Sequence, residues 1–199
     1  AWTTIALLPA SSSHAADSGA AGRLIFVCRP DNDLFRAVAA GGTNSLRFDD
    51  AAAAIERAPA GAGVLILADG YPKQVTEVAA EVFEAAEAKS IRLFVEYPGA
   101  LPGLNVGSPE PTRFERVAVA SDFFGEGLKK LRIVAIHGLQ FVPVRVEASH
   151  LVAARIAGFD HAVYGLPEET TPILFQMPNR TVLVATTKLS HFVTGRYAP

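Results

Sequence analysis

Between residues 23 and 98, continuous apolar runs alternate with segments of helical period, and no other feature restricts the fold as much. RLIFVC (23–28), SLRF (45–48), GVLILADGYP (63–72) and IRLFVEYP (91–98) read as buried strands. Between them lie DNDLFRAVAAG, DDAAAAIERA and KQVTEVAAEVFEAAEAK. The first of these carries Asp31 or Asp33 as a helix cap and Gly41 as a stop. In the third, Val75, Val78, Ala79, Val82, Phe83 and Ala86 recur at three- and four-residue spacings, which predicts a helix from about Lys73 onward. Buried strands joined through helices pair in parallel, with helices on both faces of the sheet. The expected class is therefore α/β, a doubly wound, mainly parallel sheet.

After Gly99 the pattern changes. A loop rich in Pro and Gly, ALPGLNVGSPEPTRFE, precedes short β-rich runs: RIVAIHG, FVPVRV, HLVAARIAGF, HAVYG, TPILFQM and TVLVATTKLS. These are read as the far half of the same sheet with some antiparallel strands. PILFQMPNRTVLVAT forms a hairpin about its Pro-Asn-Arg turn.

The 199 residues, half of them hydrophobic, suit one well-buried domain. Lys+Arg 18 against Asp+Glu 20 gives a net charge of −2, with no basic stripe for nucleic acid and no polybasic membrane patch. A single cysteine, Cys28, excludes an internal disulfide framework and a cysteine-based zinc site. None of the five histidines stands at metal-ligand spacing from another, and no cofactor motif is present. Residues 1–22 pass from an apolar stretch, Ile5 to Leu8, through a serine-rich segment to His14-Ala15-Ala16-Asp17. They read as the remnant of an export signal, too short to span a bilayer, or as a disordered leader.

Ligands of open parallel sheets sit beyond the carboxyl ends of the strands. That rule selects Asp69, Tyr71, Glu96, Tyr97 and His137 as candidate ligand-binding residues. Asp69 and Glu96 suit paired-carboxylate chemistry on a sugar. The alternative makes Asp69 the start of an Asp-Gly turn and Glu96 the partner of an arginine such as Arg92 or Arg113. The tyrosines either stack on a sugar face or wall a loop. Cys28, at the end of the first strand, reads as a buried small hydrophobe.

GVLILADGYP, a long helix and then IRLFVEYPGALPG resemble the class I glutamine-amidotransferase-like fold, a flavodoxin-like relative. In glutaminases of that fold the turn after the matching strand carries a nucleophilic Cys in a Gly-x-Cys-x-Gly elbow. Here the stretch reads VEYPGAL: Glu96, Tyr97, Pro98 and Gly99 form the turn, and no Cys or Ser is among them. Neither glutaminase nor esterase turnover is therefore expected of the isolated domain.

PILFQMPNRTVLVATTKLSHFVTGRYAP is similar to the end of an N-terminal amidotransferase-like domain in secreted bacterial carbohydrate-processing proteins. A helical catalytic module of the six-hairpin glycosidase type follows there. The resemblance runs from about Arg23 to the end and implies a non-catalytic accessory domain of an exported glycoside hydrolase. Its partner would be the downstream module of the same polypeptide, with carbohydrate as a further contact. On this reading residues 23–199 are one domain, cut short where a helix would cover TPILFQM and TVLVAT. A stand-alone hydrolase using the strand-end cleft and a sugar- or small-molecule-binding module are the alternatives.

Overall fold

A computed structural model describes residues 24–134 and 139–189. Its main sheet contains, in chain order, β1 (Leu24–Val27), β2 (Leu46–Phe48), β3 (Gly63–Ile66), β4 (Arg92–Glu96), β6 (Arg116–Val119), β8 (Leu151–Ala154), β9 (Thr171–Gln176) and β10 (Val182–Ala185). A two-stranded ribbon pairs β5 (Glu110–Pro111) with β7 (Gln140–Phe141). The helices are α1 (Asp33–Ala40), α2 (Ala51–Arg57) and α3 (Ala80–Ala88).

The eight strands lie in the order β2-β1-β3-β4-β10-β9-β8-β6. β2, β1, β3, β4 and β10 are parallel, whereas β9, β8 and β6 continue the sheet in antiparallel pairs. The protein is thus α/β with a mostly parallel sheet and an antiparallel extension, as the switch in pattern after Gly99 predicts. β10 returns to pair with β4 only after the whole antiparallel excursion. Short-range pattern carries no trace of that long-range pairing.

Side-chain alternation along the strands divides the core. Ile25, Val27, Val64 and Ile66 face α2 and α3, meeting Ala54, Ile55, Val82 and Phe83. Phe26 and Leu65 face the other way, toward Leu34, Phe35 and Val38 of α1. Each fully buried aliphatic or aromatic side chain contributes about 1.5–3 kcal/mol relative to exposure.

The β9–β10 hairpin forms as predicted. Asn179, in its turn, takes the left-handed conformation (φ 58°) that Asn tolerates better than most residues. Ile173, Leu174, Phe175, Val182, Val184 and Ala185 are buried. Partners such as Phe94, Phe124 and Leu128 on one side and Val144 on the other cover the apolar surface expected to lie open here.

Several local expectations are corrected. The helix predicted from Lys73 begins at Ala80, because Thr76 is drawn into a parallel bridge with Pro98. Its N–H donates to the Tyr97 carbonyl at 2.7 Å, and its carbonyl accepts from the Gly99 N–H at 3.0 Å. Tertiary pairing overrides the helical period of 73–79. The α1 cap is neither Asp31 nor Asp33 but Asn32, whose side-chain oxygen accepts from the N–H groups of Leu34 and Phe35. Asp31 instead pairs with Arg29. In FVPVRV only Phe141, the second residue of β7, is strand, since Pro143 offers no N–H to a ladder. HAVYG forms no strand beyond the Arg132–His161 bridge. The leader and His137 lie outside the described residues.

Candidate functional site

The carboxyl ends of β1, β2 and β3 open into a cleft of about 580 Å³. Val27 and Cys28 come from β1 and its end, Asp49 and Asp50 from the end of β2, and Ile66, Leu67 and Asp69 from β3 and its end; Thr76 to Ala79 close the opposite side. This is where the strand-end rule places a ligand. Of the four predicted residues that the structure describes, Asp69 alone lines it.

Asp69 ties the end of β3 to the loop between β1 and α1. One carboxylate oxygen accepts the Arg29 N–H, and the other accepts Asn32 Nδ2–H at 2.7 Å. Asn32 is 5% exposed and also caps α1, so a single side chain fixes the helix start and orients the carboxylate. Across the cleft Asp49 pairs with Arg47, which in turn donates to the Cys28 carbonyl at 2.8 Å. Asp50 caps α2 through the Ala53 N–H. Among the charged side chains lining the cleft, Asp49, Asp50, Asp69 and Glu77 are carboxylates and none is cationic. Such a lining accepts hydrogen bonds from hydroxyl or amine groups and repels phosphate. Among the described residues no group of three or more His, Cys, Asp or Glu side chains is placed to hold a metal ion.

Glu96 and Tyr97 occupy the interior. Both are 0% exposed, and the Glu96 carboxylate accepts the Ala68 N–H at 3.2 Å. The Tyr97 ring meets that of Tyr71 edge to face, with centroids 5.0 Å apart. Tyr71 Oη accepts the Gln140 N–H at 2.8 Å, which pins segment 139–142 over the ends of β4 and β10. Ala68, Tyr97 and Val142 pack there with Val75 and Val106. The four strand-end residues therefore gather at one end of the sheet, as expected. The two tyrosines wall a loop, and Glu96, absent from the cleft lining, does not share it with Asp69.

The turn after β4 leads into a loop and then β5, with no helix between them. Tyr97 sits at φ +50°, a left-handed conformation that is strained for a bulky residue, at the end of a buried strand. Gly99 follows at a close approach: a Cβ there would lie 2.7 Å from Val75 Cγ2 and 2.8 Å from Glu77 Oε1. Both the side chain at the apex and the cover above it differ from a reactive centre.

Cys28 borders the cleft yet is only 5% exposed. Burial, followed by the nearby Asp69 charge, pushes its thiol up to about 12. At pH 8 that leaves about 10⁻⁴ of it as thiolate, the reactive form. Native protein treated with iodoacetamide at pH 8 is expected to stay unmodified over hours and to alkylate within minutes in guanidinium. Comparable rates in the two states would overturn this assignment.

The sequence reading missed Asn32, Asp49 and Asp50. The two aspartates directly follow the second apolar run, so the strand-end rule reaches them once β2 is counted. Asn32 has only the Asp-Asn-Asp triplet as a signal, which does not separate its three members. No protein-family model matches the chain, and no curated protein matches it.

Proposed function

We propose that residues 23–199 form an amidotransferase-like, flavodoxin-like domain that has lost nucleophile chemistry at its elbow and serves as the N-terminal accessory domain of an exported bacterial glycoside hydrolase. The observation that carries the loss of chemistry is Tyr97: it holds the left-handed apex at the end of β4, fully buried beneath segment 139–142, where a nucleophile would have to meet its substrate. The parallel order β2-β1-β3-β4-β10 supports the flavodoxin-like reading. The glycosidase partnership rests on the resemblance of the stretch from Pro172 onward. Among the described residues no helix is long and apolar enough to cross a membrane.

A second reading, a small-molecule or sugar-binding module, is favoured by one observation. The carboxylate-lined cleft lies at the ends of β1 and β3, and its acceptors suit a polyol.

Purified protein is expected to hydrolyse glutamine no faster than buffer does. Turnover that disappears in Cys28→Ala would overturn the loss of elbow chemistry. The partnership is tested separately on the natural reading frame. A glycosidase module downstream of residue 199, keeping its kcat on polysaccharide when residues 23–199 are deleted, is the expected result. A frame with no such module would overturn it.

A further inference from the structure

At the antiparallel end of the sheet, Ser121 and His150 meet. Ala120, just past β6, donates its N–H to the His150 carbonyl at 2.8 Å, and the His150 N–H donates to the Leu174 carbonyl at 2.7 Å. Two neighbouring chain segments thus fix the histidine backbone between them. Its ring lies stacked on Phe123, with centroids 4.0 Å apart and planes 19° from parallel. Ser121 Oγ is 2.9 Å from His150 Nδ1 and also accepts the Phe123 N–H at 3.3 Å. The Phe123 N–H occupies one lone pair of the hydroxyl, and the hydroxyl proton remains available for Nδ1. In the tautomer with the ring proton on Nε2, Nδ1 is the acceptor of the hydroxyl proton. Burial moves the imidazole below its ordinary range, which keeps it unprotonated at neutral pH.

Ser121 also lines a groove of about 590 Å³ with Arg145, Val152, Leu166, Pro167 and Thr170. A serine hydroxyl hydrogen-bonded to a neutral histidine, at the wall of a groove with an apolar side, is the arrangement from which serine nucleophiles are activated.

We propose that Ser121 and His150 are a nucleophile and general base that cleave small acyl esters bound in this groove. Ser121 Oγ attacks the ester carbonyl carbon as its proton passes to His150 Nδ1. The carbon–oxygen ester bond breaks, and the departing alkoxide takes that proton and leaves as an alcohol. Water then adds to the acyl-serine, giving its proton to Nδ1, and the carboxylic acid is released as Ser121 regains its hydrogen. The charged groups lining the groove are Arg145 and Glu147. Esters rather than amides fit because stacking, not a carboxylate, orients His150, and an alkoxide leaves more easily than an amine. The Val152, Leu166 and Pro167 wall suits a short apolar acyl group. This chemistry is distinct from that of the turn at Tyr97, does not depend on the function proposed above, and runs against the sequence-based expectation of no esterase turnover.

The test uses the intact protein with a fluorophosphonate probe, mass mapping of the adduct, and p-nitrophenyl acetate hydrolysis. A phosphonyl adduct on Ser121 is expected. Ser121→Asp keeps an acceptor for the Phe123 N–H but has no nucleophile, and is expected to lose both the adduct and the hydrolysis. His150→Phe keeps a ring to stack on Phe123 and is expected to slow labelling about 100-fold, the usual contribution of a general base. No adduct on Ser121 in the wild-type protein would overturn the proposal. So would labelling of a folded His150→Phe protein at the wild-type rate.

Discussion

Replacing Tyr97 with alanine is expected to destabilise the domain by about 3–5 kcal/mol, the range for emptying a buried aromatic site. The ring is 0% exposed, meets Tyr71 edge to face and packs on Ala68 and Val142. Alanine relieves nothing in exchange, because a residue at φ +50° carries the same strain with a methyl group as with a phenol. The backbone on both sides is committed: the Tyr97 N–H donates to the Ala185 carbonyl at 2.7 Å, and its carbonyl accepts from Thr76. The cavity therefore has little freedom to collapse. For a domain of this size the loss corresponds to a fall in melting temperature of roughly 6–20 °C. Tyr97→Phe keeps the ring and gives up only the 3.3 Å contact from Oη to the Pro72 carbonyl, so about 1 kcal/mol or less is expected. Thermal unfolding of both variants checks the difference. Equal melting points for Tyr97→Ala and Tyr97→Phe would mean that the phenol, not the ring, is what this turn requires.

The same residue shows what the sequence discloses and what it withholds. Tyr97 is placed at a strand end by the apolar run before it and by Pro98 after it, and this much is local information. Its burial is not, because the cover comes from Val142 and Gln140, more than forty residues away, through contacts with no local periodic signature. Strands β1 to β4 were legible for the first reason, because their crossovers are short, whereas the parallel pairing of β10 with β4 was not. The cleft was half legible. The strand-end rule finds Asp69, but its partner Asn32 is set by a hydrogen bond across 37 positions. The start of α3 was misread because 73–79 has a helical period and a bridge to Pro98 at once, and only the fold shows which prevails. Ser121 and His150, 29 positions apart, carry no spacing signal at all.

Asn32→Asp is expected to be damaging, although at an ordinary helix start the exchange is close to neutral. The cap itself would survive, since either side chain can accept from the N–H groups of Leu34 and Phe35. The difference is on the other side of the amide, where Asn32 Nδ2 donates to Asp69 Oδ1 at 2.7 Å in a site where Asn32 is 5% exposed. Aspartate would set acceptor against acceptor and charge against charge at that distance. A lost bond to a carboxylate alone accounts for about 1.5–3 kcal/mol, and like-charge repulsion adds to it. The repulsion raises the folded-state pKa of the introduced carboxyl above its unfolded value near 3.9. A group raised in this way stabilises fully below the unfolded pKa and loses that contribution as pH rises through the folded one. The deficit relative to the wild-type protein is therefore smallest near pH 4, where the introduced carboxyl, once protonated, can donate in place of the amide, and it reaches its plateau by pH 8. Adding Asp69→Asn restores a donor between the two side chains, so the double variant is expected to recover most of the loss at pH 8. Denaturant unfolding of the wild-type, single and double variants at pH 4 and pH 8 measures this coupling directly. A pH-independent deficit, or a double variant no more stable than Asn32→Asp, would show that the Asn32–Asp69 bond does not hold the end of β3 to the start of α1.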